Sequence, residues 1–249
     1  MSAPAWLTER PIAHRGLHVP DEGRFENTLS AAEAAIAGGF GIECDVQISA
    51  DGEAMVFHDH VLDRLTQANG PVRERKAAEL GEMQVGGSED RIPTLAGFLD
   101  RIGDRTPLVI EIKSRFDGDD RLARRTVEVL AGRRGRFALK SFDPAIVGLL
   151  RRIAPDVPRG IVGQSRYDGG DAAQLPPERL REMTDLLHWD ETRPDFVSWR
   201  HLDLPCAAAF LPRQLAGVPV MTWTIRSQEQ VQRALPYADQ IVFEGFVPA

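Results

Sequence analysis

Residues 42–48 read Ile-Glu-Cys-Asp-Val-Gln-Ile, a strict alternation of apolar and polar side chains. Side chains alternate across a strand, so Glu43, Asp45 and Gln47 share one face and Ile42, Cys44, Val46 and Ile48 the other. Residues 108–113 repeat the pattern and place Glu111 with Lys113 near the strand's C-terminal end. In an antiparallel sheet such a polar face would meet water. In a parallel barrel it meets the lumen, where two carboxylates do not both stay ionised without a compensating cation. Three inward acids, Glu43, Asp45 and Glu111, offer hard oxygen ligands that suit Mg²⁺ or Ca²⁺ better than zinc. A salt bridge from Lys113 to one of the acids accounts for the same residues equally well. His14 and His58 end two further strand-like runs. One histidine at a strand end is weak evidence of chemistry. Two beside a carboxylate cluster suggest proton transfer near neutral pH.

Such residues need elements to hold them. Short β-rich runs at 12–15, 42–48, 108–113, 137–141, 160–162, 196–199, 218–223 and 240–243 alternate with helical patterns. Asn27-Thr28 is a helix start and Gly38-Gly39 a stop. Further helices are expected over 120–130, from Pro144, around 178–187, over 206–216 and from Ser227. Asp51-Gly52 turns the second strand into a short return at 54–57. Eight alternating units in 249 residues predict an α/β fold, a (β/α)8 TIM barrel, in one domain spanning 1–249. A doubly wound sheet is the alternative arrangement of the same elements. Residues 60–92 break the rhythm as a small insertion after the second strand, with no core of its own expected.

Bulk properties narrow the function. Net charge is -7, with the 30 basic residues spread along the chain, which gives no footprint for nucleic acid. The two cysteines, Cys44 and Cys206, make neither a disulfide framework nor a zinc motif. No run is apolar and long enough to span a membrane. The first residues lack a basic segment followed by an apolar one, so no signal peptide is expected. A cytoplasmic location follows as the expectation. Cys44 faces away from the acids as a packed thiol, and Cys206 reads as a helix residue. His18, His188 and His201 read as surface histidines, and Trp6, Trp189 and Trp199 as packing residues. Lys140, at a strand end, reads as a lumen residue or as half of a surface salt bridge.

Six short motifs in order, AHRG (13–16), ENT (26–28), IECDVQ (42–47), HD (58–59), EIK (111–113) and TWT (222–224), together resemble the glycerophosphodiester phosphodiesterase family. IPTL (92–95) and SF (141–142) fit the same pattern. The resemblance runs from residue 10 to about 245 and implies a (β/α)8 barrel with a small insertion after the second strand. It implies that His14 and His58 are the general acid/base pair. It implies that Glu43, Asp45 and Glu111 ligate one divalent cation, Mg²⁺ or Ca²⁺. Arg15 and Lys113 would meet the phosphate, Asn27 would line the site, Glu26 would orient neighbours, and Trp223 would stand at the pocket wall. The sequence departs from the pattern at His60, where an acid is common, at Leu65, where threonine is common, and at Phe243-Glu244, where Thr-Asp is usual.

The implied reaction cleaves a glycerophosphodiester, a small-molecule substrate, to glycerol 3-phosphate and an alcohol. Water or the glycerol 2-hydroxyl would be the nucleophile, the second route passing through a cyclic phosphate. Three competing readings fit less well. A lysophospholipase D-like activity on the same barrel needs an apolar entrance, for which residues 60–92 offer no amphipathic stripe. A non-catalytic phosphodiester-binding protein has no use for the intact His14, His58 and carboxylate set. A Schiff-base aldolase built on Lys113 conflicts with Glu111 on the same face, which keeps the amine charged.

Overall fold

The computed structural model describes residues 3–249. The fold class is α/β, a (β/α)8 barrel, in agreement with the sequence. The chain groups into two compact units: one of Ile12–Lys113 with Asp120–Phe137, the other of residues 3–11, Ser114–Asp119 and Ala138–Ala249.

The first unit contains every residue expected to do chemistry except Trp223. Its strands are β1 (Ile12–His14), β2 (Gly41–Ile48), β3 (Ala54–Val56) and β4 (Leu108–Ile112). β2 lies parallel to both β1 and β4, and β3 returns antiparallel along β2. The helices are α1 (Leu29–Ala37), the short α2 (Ala77–Leu80), α3 (Leu95–Ile102) and α4 (Arg121–Leu130). α1 starts where expected, because the Thr28 hydroxyl accepts from the Ala31 amide at 3.3 Å. α3 follows the IPTL motif and was not read from the sequence. Thr94 caps it by accepting from the Gly97 amide at 3.1 Å. Leu95, Phe98, Leu99 and Ile102 fill its buried face at helical spacing. Each such burial contributes about 1.5–3 kcal/mol.

The insertion over 60–92 packs through an apolar cluster that it shares with the return strand and the residue after it. Leu62, Leu65, Val72, Leu80, Val85 and Ile92 are buried with Met55 and Phe57, and Phe25 packs against them. Single apolar residues separated by turns carry no period, so the cluster leaves no signature in the sequence.

The second unit carries five parallel strands: β5 (Phe137–Ser141), β6 (Arg159–Gly163), β7 (Phe196–Arg200), β8 (Val220–Ile225) and β9 (Gln240–Phe243), paired in sequence order. Its helices are α5 (Pro144–Ile153), α6 (Pro177–Thr184), α7 (Trp189–Thr192), α8 (Ala207–Ala216) and α9 (Gln228–Ala234). Trp199 is buried at the centre of the apolar cluster around β7. Two expectations fail here and one alternative is excluded. His188 is buried, not on the surface, with Nδ1 3.1 Å from the Thr192 hydroxyl, and burial pushes its pKa down to about 4. Lys140 is also buried, which rules out a surface salt bridge. Cys206 precedes α8 as its N-cap residue and does not lie within the helix. Both cysteines are free thiols, and Cys44 is buried as expected. Among the described residues no helix is long and apolar enough to cross a membrane.

Candidate active site

The site is built on β1, β2 and β4. Their parallel register sets His14 beside Glu43 and Asp45 beside Glu111. Alternation splits β2 as expected, and its acidic face is as fully buried as its apolar one. One carboxylate oxygen from each of Glu43, Asp45 and Glu111 lies within 4.8 Å of the others. Three converging hard oxygens suit one divalent cation of the Mg²⁺ or Ca²⁺ type. His14 Nε2 stands 3.9 Å from Glu43 Oε2.

Side-chain cations also reach the acids. Lys113 Nζ is 2.8 Å from Asp45 Oδ1 and donates to Glu111 Oε1. The salt bridge weighed as an alternative to a metal site is therefore present, on the same residues as the ligand set. Burial alone would lower the Lys113 pKa, but Asp45 and Glu111 hold it above its ordinary value. A lysine kept charged is no Schiff-base nucleophile. Arg15 Nε lies 3.3 Å from Asp45 Oδ2, and the Arg15 amide donates to Glu43 Oε2 at 3.2 Å. Burial would push Asp45 up, yet Lys113, His58, Arg15 and His14 hold it well below the usual carboxylate range.

Loops after β1 and β3 complete the set. Arg15 and Asn27 both adopt left-handed backbone, φ 57° and 59°, a conformation that non-glycine residues hold only when neighbours enforce it. The neighbours are visible. The Asn27 amide donates to the Arg15 carbonyl at 2.9 Å, and Asn27 Nδ2 donates to Asp45 Oδ2 at 2.9 Å. The Asp45 amide returns a bond to Asn27 Oδ1 at 3.1 Å. Asn27 thus grips Asp45, one of the three clustered acids. Gly16 lets the loop close on α1, since a Cβ there would lie 2.8 Å from the Ala31 carbonyl carbon.

His58 Nδ1 lies 2.6 Å from Asp59 Oδ1. Burial raises the Asp59 pKa, but the His58 and Arg64 hydrogen bonds outweigh it and keep the group ionised. An ionised carboxylate only accepts, so His58 carries its proton on Nδ1 toward Asp59, and Nε2 is the ring nitrogen not engaged by that bond. Gln47 Nε2 donates to the His58 carbonyl at 2.8 Å, and Gln47 Oε1 meets His60 Nδ1 at 3.1 Å. Glu26 accepts from Arg15 Nη1 at 2.7 Å, which fits the orienting role expected for it. Burial pushes Glu26 up, but Arg64 and Arg15 override that and bring it down to about 2.

The sequence reading missed Arg64. It sits in the insertion, beside Leu65, in a stretch with no period to mark it. Trp223 lies in the second unit on β8. Its Nε1 donates to the Ser198 carbonyl at 3.0 Å, and its ring meets Phe142 edge-on at 5.5 Å.

Residues 14–243 match the family model described as the glycerophosphoryl diester phosphodiesterase family. A protein of Caldanaerobacter subterraneus subsp. tengcongensis named glycerophosphodiester phosphodiesterase is 42 % identical over 113 residues. That match covers 41 % of this chain and 44 % of that relative's length. A phosphodiesterase of Oleispira antarctica, solved in complex with the product sn-glycerol-3-phosphate, superposes with a TM-score of 0.75. It is 22 % identical, over 96 % of this chain and 93 % of that one. A glycerophosphodiester phosphodiesterase structure from Thermotoga maritima gives a TM-score of 0.70 at 24 % identity, over 93 % and 92 % of the two chains. At these identities the solved structures speak for the fold.

Proposed function

The chain belongs to the glycerophosphoryl diester phosphodiesterase family, which makes it a phosphoric diester hydrolase, and from that premise we propose that it cleaves glycerophosphodiesters to glycerol 3-phosphate and an alcohol. The observation that carries this reading is the register of β1, β2 and β4, which gathers three buried acids and puts His14 beside one of them.

Glu43, Asp45 and Glu111 are proposed to hold a divalent cation, Mg²⁺ or Ca²⁺. When bound, the cation supplies Lewis-acid neutralisation of a phosphoryl oxygen. Arg15 and Lys113 add fixed positive charge for the remaining oxygens, the guanidinium as a planar fork and the ammonium as a point charge. His14 and His58 divide the proton transfers. One takes the proton of the attacking hydroxyl, from water or from the glycerol 2-hydroxyl, as the new P–O bond forms. The other gives its proton to the leaving alcohol oxygen as the old P–O bond breaks. Asp59 holds His58 in the tautomer that leaves Nε2 for this work, and Asn27 fixes Asp45. Trp223 is proposed as an aromatic wall for the substrate, on the family resemblance of the TWT motif. A cytoplasmic setting fits the two free thiols.

The test is a panel of glycerophosphodiesters bearing choline, ethanolamine, glycerol or inositol, each assayed with Mg²⁺ and with Ca²⁺ by coupled detection of glycerol 3-phosphate. Metal-dependent release from at least one substrate is expected. Absence of release from all of them with either ion would overturn the reading.

A further inference from the structure

One guanidinium in the insertion reaches both loops that carry the acid–base and phosphate-binding groups. Arg64 donates from Nε to Asp59 Oδ2 at 2.6 Å and from Nη2 to Asp59 Oδ1 at 3.1 Å. It also donates from Nη1 to Glu26 Oε2 at 2.9 Å and from Nη2 to Glu26 Oε1 at 2.8 Å. Each carboxylate holds a working side chain as well: Asp59 binds His58 Nδ1 and Glu26 binds Arg15 Nη1. The result is a continuous chain of charged hydrogen bonds, His58–Asp59–Arg64–Glu26–Arg15.

We propose that Arg64 is a positioning residue that orients the His58 imidazole and the Arg15 guanidinium together, tying the acid–base group to the phosphate-binding group through two bidentate carboxylates. This rests on the roles given above to His58 and Arg15.

Only arginine has the shape for the task. Its planar fork grips two carboxylates along two edges, whereas a lysine ammonium is a point charge that cannot pair bidentately with both. Without Arg64, Glu26 and Asp59 lose their shared counter-charge. Asp59 is then no longer held at the distance that fixes the His58 tautomer, and Glu26 no longer braces Arg15. Partners of this kind, one step removed from the reacting groups, typically govern about 10- to 100-fold in activity.

A purely architectural role fits the surroundings less well. The Arg64 side chain is 47 % exposed, while the two carboxylates it joins are 12 % and 19 % exposed. The segment bearing it is already anchored by buried Leu62 and Leu65, and Phe25, next to Glu26, packs on the same cluster. The guanidinium therefore adds orientation to loops that packing already places.

The experiment compares wild type with Arg64→Met, Arg64→Lys and Arg64→Ala on a glycerophosphodiester that the wild type cleaves. Arg64→Met should lower kcat by about 10- to 100-fold at temperatures where its circular dichroism shows it fully folded. Arg64→Lys should recover part of the loss, and guanidinium ion added to Arg64→Ala should restore turnover. The second readout, which needs no turnover, is the histidine ¹H–¹⁵N spectrum. The His58 Nδ1 proton bonded to Asp59 should be resolved in wild type and lost in Arg64→Met. A wild-type spectrum and wild-type kcat in Arg64→Met would overturn the proposal. So would a loss of activity that tracks a lowered melting temperature and resists guanidinium. Failure of the underlying reading looks different: wild type itself would release no glycerol 3-phosphate, or His58→Ala would remain active.

Discussion

The acids on β2 and β4 and the charged groups in the loops after β1 and β3 are placed by different means. Glu43, Asp45 and Glu111 are fixed by strand register, and their spacing follows from the parallel ladder itself. Arg15, Glu26, Asn27 and His58 stand on loops whose backbone is unusual at Arg15 and Asn27. Packing places the loops, and hydrogen bonds orient the side chains: Arg64 joins Glu26 and Asp59, which hold Arg15 and His58, while Asn27 bonds Asp45. The strand-borne acids are thus part of the fold's interior, and disturbing them should cost stability. Arg15, Glu26 and His58 are partly exposed, whereas Asn27 is buried against Asp45; disturbing the partly exposed three should cost mainly turnover.

The largest effect expected from the loop side is loss of proton transfer. His58→Ala should reduce kcat by about 10²- to 10⁴-fold, with unchanged circular dichroism and thermal midpoint. His14→Ala should do the same from the end of β1. Near-wild-type turnover in either variant would remove that histidine from the acid–base pair.

From the strand side, Asp45→Ala should destabilise the protein as well as inactivate it. Lys113, Arg15 and Asn27 all bond Asp45 in the interior. Removing one member of such a buried charged set costs about 3–5 kcal/mol, measurable by denaturant unfolding. Unchanged stability in Asp45→Ala would break the contrast between strand and loop.

A smaller effect concerns pH. Glu26 sits at about 2 in the fold, against 4.5 for an ordinary glutamate. A carboxylate depressed on folding stabilises above its unfolded pKa, and that contribution is lost as pH falls through the folded one. The Glu26 contribution should be complete above pH 4.5 and fade between there and about 2. Unfolding of wild type and Glu26→Gln at pH 6 and at pH 3 should show a larger gap between the two at pH 6. An equal gap at both values would mean that Arg64 and Arg15 do not hold Glu26 ionised.

The same contrast explains what the sequence made legible. Glu43, Asp45, Glu111 and Lys113 could be read because alternation is a local signal and parallel strands impose one register. Strand positions came within a residue or two for most elements, since Gly, Pro and cap residues punctuate them. Arg64 could not be read, because its importance lies in meeting Asp59 and Glu26 at once, and no period brings a loop arginine to two carboxylates. His188 misled because the long segment around it is polar and loop-like, although its immediate neighbours Leu186, Leu187 and Trp189 are apolar and Leu186 is buried with it. The apolar cluster of residues 60–92 was hidden for the related reason that its members come singly from short turns. Asn27 stands beside the acids through its bonds to Asp45, which follow from a left-handed backbone that the sequence does not announce.

The account rests on the three acids of β2 and β4 serving a cation that hydrolysis requires. The most direct measurement is glycerol 3-phosphate release by exhaustively chelated protein, before and after addition of Mg²⁺ or Ca²⁺. Activity should fall to background on stripping and return with one of the two ions. Full activity in the stripped protein would contradict the account.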